Sequence, residues 1–68
     1  MNSIIKAMKE FNRKHTPYNT AWLDALASYK GHYVICIEDD WGFASWYTFH
    51  SVKDFTEWAN GAVFENEM

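Results

Sequence analysis

HYVICIEDDWGFASWYTF, residues 32–49, is where apolar spacing changes from the helical period of about 3.6 to the strand period of 2. Two β-branched and aromatic runs, 32–38 and 43–49, flank Asp39-Asp40-Trp41-Gly42. Aspartate suits the early positions of a turn, and glycine supplies the positive φ of a bulged hairpin. The segment therefore predicts an antiparallel hairpin. With Asp39 near Phe43, the register sets Ile37 by Ser45, Ile35 by Tyr47 and Tyr33 by Phe49. Val34, Cys36, Ala44, Trp46 and Thr48 then share the opposite face, and a slip of one residue would exchange the two.

Upstream, Ile4, Met8 and Phe11 fall at helical steps behind Ser3, a candidate N-cap, and predict a helix over 3–14. His15-Thr16-Pro17 ends it, because proline disfavours helical geometry in the residue before it. Trp22, Leu23, Leu26 and Tyr29 again follow steps of 3 and 4. With Asn19 or Thr20 as cap and Gly31 at the C-terminal end, they predict a second helix over 20–29, packed on the first. Downstream, Ser51-Val52-Lys53-Asp54 reads as a capping box for a helix over 52–60, with Val52, Phe55, Trp58 and Ala59 buried. Ala62-Val63-Phe64 reads as a short third strand or a packed tail, and Glu65 to Met68 as a frayed end.

The expectation is one α+β domain over residues 1–68, of order α-α-β-β-α. Its hairpin buries Tyr33, Ile35, Tyr47 and Phe49 against Phe11, Leu26 and Phe55, since a lone hairpin is marginal in water.

A chain of 68 residues is near the lower size limit for folding without a disulfide or a metal. Here 49% hydrophobic and 19% aromatic residues offset short length, because each large ring buries roughly 150–250 Å². Cys36 is the single cysteine, which excludes an internal disulfide and favours a reducing compartment. Neither a signal-peptide apolar region nor a run near 18 apolar residues occurs, so a cytoplasmic protein away from the membrane is expected. Charge is polarised along the chain. Residues 1–30 hold five Lys or Arg against two acids, and residues 31–68 hold one Lys against seven acids.

His32 and His50 fall opposite one another at the open end of the hairpin and could share a metal ion. No C-x-x-C or H-x-x-x-H spacing supports this, and Cys36 stands about 13 Å along the strand from His32. No metal or cofactor is expected. Glu38, Asp39 and Asp40 cluster at a turn too small to wrap an ion or to separate their proton affinities, so they suit a solvated turn or contact with a basic partner. There is no activated nucleophile motif and no glycine-rich phosphate loop, and no catalytic activity is expected.

Trp41 at the turn and Trp46 on the less apolar hairpin face are hard to bury. Exposed tryptophans of this kind mark protein interfaces. The favoured expectation is a non-enzymatic protein-binding module, an inhibitor or adaptor of phage or mobile-element type that occludes a larger protein. Trp41, Trp46, Glu38, Asp39 and Asp40 would form its contact surface. The alternative is nucleic-acid binding through Lys6, Lys9, Arg13 and Lys14, with Lys30 beside them. The acidic total of −3 weighs against it.

Overall fold

A computed structural model describes residues 2–29 and 31–68. Along the chain run α1 (Asn2–His15), β1 (Asn19–Leu23), β2 (Tyr33–Asp39), β3 (Ala44–Phe49), α2 (Val52–Gly61) and a 3-10 turn (Glu65–Glu67). The hairpin forms in the register read from its alternation, with Ile37 opposite Ser45, Ile35 opposite Tyr47 and Tyr33 opposite Phe49. Gly42 takes φ 89°, the left-handed conformation that the bulged turn requires. The α+β class holds, but the element order is α-β-β-β-α.

The difference lies at residues 19–29. No second helix forms; Asn19–Leu23 is a strand that adds to the hairpin in the sheet order β1-β2-β3. Ala21 pairs with Ile37 and Leu23 with Ile35, so the alternating residues Ala21 and Leu23 point to the core while Trp22 points away. A segment of some ten residues makes a marginal helix in water, whereas the strand satisfies the backbone of β2 along its whole second edge. Leu26, expected in the core, is fully exposed, and Tyr29 is also exposed. Gly31 has φ 80° in the β1–β2 connection, not at the end of a helix.

Both helices pack on the face of the sheet that carries Ala21, Ile35, Ile37 and Phe49. From α1 come Ile4, Met8 and Phe11, and from α2 comes Phe55, which with Ile35 is completely buried. Phe55 meets Phe49 edge-on at 5.1 Å and Phe11 at 6.1 Å, while Trp58 bridges Phe49 and Tyr47. Five rings in such contact bury a large apolar area for a short chain. The Ser51 hydroxyl accepts from the Asp54 N–H at 3.0 Å and starts α2 as the capping box requires. Ser3, by contrast, lies within α1 and is not its cap.

The C-terminal residues do not fray. Phe64 packs edge-on against Phe11, and Ala62–Phe64 forms no strand. Glu67 accepts from the Asn19 amide at 2.7 Å and lies 2.9 Å from His15 Nδ1. The Asn66 amide donates to the Tyr18 carbonyl at 2.9 Å. Asn19 is thus a buried anchor for the tail, where the sequence suggested a helix cap. The Thr16–Pro17 peptide at the entry to β1 is cis.

Candidate protein-docking site

Because α1 and α2 occupy one face of the sheet, the other face is bare. Register places Trp22, Cys36 and Trp46 directly across from one another on the three strands. Trp22 is 57% exposed and Trp46 60%, with Cys36 half-buried between them. Strands about 4.8 Å apart put the two indoles roughly 10 Å apart, with the small cysteine as the floor of a shallow trough. Thr20, Val34 and Thr48 extend the face along the strands, and Glu38 sits toward one end. At the hairpin tip, Trp41 is 82% exposed and Phe43 72%. Three of the chain's four tryptophans therefore face solvent.

Trp41 and Trp46 occupy the exposed positions expected of them, but on different parts of the surface: the tip and the sheet face. Trp22, which the helical reading placed among the apolar positions of a helix over 20–29, completes the row with Trp46. Its neighbours held the signal, since Thr20 and Trp22 alternate with Ala21 and Leu23 at period 2 and favour a strand.

The three carboxylates expected to act together are divided among three tasks. Glu38 is exposed on the sheet face. Asp39 instead builds the turn, its Oδ1 accepting from the Trp41 and Phe43 amides at 2.9 Å each. Asp40 accepts from the Asn66 side-chain amide at 3.2 Å. Burial pushes the Cys36 thiol above its ordinary pKa, and the negative charges of Glu38 and Asp24 add to the shift. A thiol so placed is protonated at neutral pH and is not a primed nucleophile.

His32 and His50 do meet, their Nδ1 atoms 3.1 Å apart, with the Tyr29 ring stacked on His32 at 4.7 Å. Among the described residues, no three His, Cys, Asp or Glu side chains gather where they could hold a metal ion. On α1, Lys6, Lys9, Arg13 and Lys14 are all exposed. Arg13 is engaged at 2.8 Å by Glu10, whose carboxyl it holds below the usual range by hydrogen bonding and charge. Lys30 lies outside the described residues. Lys6 and Lys14 border a groove between α1 and α2 floored by Ala7, Phe11, Val52 and Ala59. No helix among the described residues is long and apolar enough to cross a membrane.

No protein-family model, curated protein or solved structure matches this chain.

Proposed function

We propose that the chain is a non-enzymatic protein-binding module that docks a larger protein on the open face of its sheet. The observation that carries the reading is the Trp22–Cys36–Trp46 row, with two large rings exposed on one sheet face on either side of Cys36. Tryptophan is enriched at interface hot spots because its ring loses much apolar contact with water at small entropic expense. The trough above Cys36 suits one apolar side chain of the partner, held between the indoles. Glu38 at its rim favours a partner with basic residues there and would act chiefly on the association rate. Trp41, exposed at the tip, offers a second apolar contact apart from this row. Occlusion of a larger target, as by an inhibitor or adaptor of phage or mobile-element type in a reducing cytoplasm, is the role such a small aromatic surface fits.

The test couples stability to capture. Trp22→Ser and Trp46→Ser should each lower the unfolding free energy by less than about 1 kcal/mol, as exposed side chains do. Each should weaken capture of a partner, identified from source-cell extract by mass spectrometry, by 2 kcal/mol or more, roughly thirtyfold. Loss of stability in step with loss of capture would assign the rings to the fold and remove the site.

A second reading is favoured by one observation: among the described residues Lys6, Lys9 and Lys14 have no carboxylate partner within ion-pair distance. Nucleic-acid binding there would show a salt slope that falls by about one unit with Lys6→Ala. Binding no tighter than about micromolar to mixed-sequence DNA and RNA at physiological salt is the expected result.

A further inference from the structure

The two edges of the sheet are treated oppositely. The Asp39 amide donates to the Phe43 carbonyl at 2.9 Å and the Asp24 amide to the Val34 carbonyl at 2.8 Å. In an antiparallel sheet this phase directs the odd residues of β2 to β3 and the even ones to β1. By the same alternation, the backbone of Asn19, Ala21 and Leu23 faces outward from β1, and that of Ala44, Trp46 and Thr48 faces outward from β3. At β1 the middle of the edge is occupied: the Asn12 side-chain amide donates to the Ala21 carbonyl at 3.1 Å, and the Asn12 side-chain carbonyl accepts from the Ala21 N–H at 2.6 Å. At β3, no hydrogen bond among the described residues reaches the outward groups.

Exposed edges are ordinarily blunted by lysine, proline, a bulge or a covering segment. The strand ASWYTF has no charge, no proline and no glycine over its 6 residues, and every residue but Phe49 is exposed. We infer that β3 pairs with β3 of a second copy of this chain, antiparallel about a two-fold axis at Trp46. Such a pairing sets Trp46 against Trp46 of the second copy and Ala44 against its Thr48. A two-fold strand pair also faces each charge with one from the same strand, so an uncharged strand is the composition it needs. The ends are complementary in charge. The tip bearing Asp39 and Asp40 runs beside the start of the second copy's α2, where the helix's positive pole and Lys53 lie. Asp54 is the one carboxylate in that first turn.

The inference rests on the backbone of an edge and shares Trp46 with the docking face, whereas Trp22 belongs to the docking face alone, so the two can fail separately. Sedimentation of the whole chain from about 5 to about 500 μM covers the range in which an interface below ~1,200 Å² associates. The apparent mass should rise from one chain, 8.0 kDa, toward two. Ala44→Lys with Thr48→Lys in one chain sets like charges opposite across the axis and should weaken association at least tenfold. Ala44→Glu with Thr48→Lys sets opposite charges there and should restore it to within threefold. Trp22→Ser, on the far strand, should associate like the parent. Circular dichroism confirms that each variant is folded, and the Glu/Lys pair tests the register should the double lysine fail to fold. A mass of one chain throughout would overturn the inference, as would equal association of the two double variants. Protection of the Ala44, Trp46 and Thr48 amides only when a different protein is added would overturn it too, and give the edge to that protein.

Discussion

At the scale of the residue, neighbours in sequence carry unlike burdens. Asp39 holds two amides of its own turn, whereas the Asp40 carboxylate has a single long bond to Asn66. Asp39→Ala should therefore lower unfolding stability by about 1–2 kcal/mol in urea titrations, and Asp40→Asn by less than about 0.5 kcal/mol. Equal losses would mean that the turn does not depend on Asp39. Cys36 supplies a test against pH. Burial raises its pKa above that of the unfolded chain, so the folded state holds the proton longer. Stability is undiminished below the ordinary thiol pKa and falls as pH rises from there through the raised value of the folded state, because the unfolded chain ionises first. The direct readout is alkylation. Iodoacetamide at about pH 8.5 should modify the folded protein several-fold more slowly than the urea-unfolded one, since the thiolate is the reacting form. Equal rates would place the thiol in open water.

At the scale of the element, what local chemistry dictates was legible and what distant partners dictate was not. The β2–β3 hairpin was readable in register because Gly42 and the alternation of 33–37 with 45–49 each constrain it. The α2 helix was readable from Ser51 and the spacing of Val52, Phe55 and Trp58. Residues 20–29 misled because Trp22, Leu23, Leu26 and Tyr29 fit a helical stripe by coincidence of spacing. The deciding fact, that β2 needs a second neighbour, lies more than ten residues away. Half of the exposed tryptophan row was consequently hidden, Trp46 being legible on the hairpin and Trp22 not. The tail was read as frayed for a related reason: its anchors, His15 and Asn19, precede it by about fifty residues. Glu67→Ala leaves a donor of the buried Asn19 without this acceptor and should cost about 1–2 kcal/mol. Amide exchange at residues 18–21 should quicken with it. Unchanged exchange there would show that the tail does not brace β1.

At the scale of the whole molecule, stability is concentrated in one ring cluster. Phe55→Ala opens a cavity among Phe11, Phe49 and Trp58 and should cost roughly 3–5 kcal/mol, close to the full stability of a domain this small. A loss under about 1 kcal/mol by thermal melting would mean that the cluster repacks around the gap. The unequal edges bear on how far assembly can proceed. When two copies join at β3, both margins of the resulting sheet are β1 margins, and each is held at its central residue, Ala21, by its own Asn12. Growth then stops at two, as a polymer stops when every chain end is capped. Asn12→Ala would uncap the margin and leave a free β1 able to meet a free β3, a head-to-tail contact that propagates without limit. Thioflavin fluorescence and electron microscopy should then find fibres in the Asn12→Ala protein at concentrations where the parent gives none. Equal clarity of both solutions after prolonged incubation would mean that the asparagine is not the terminator.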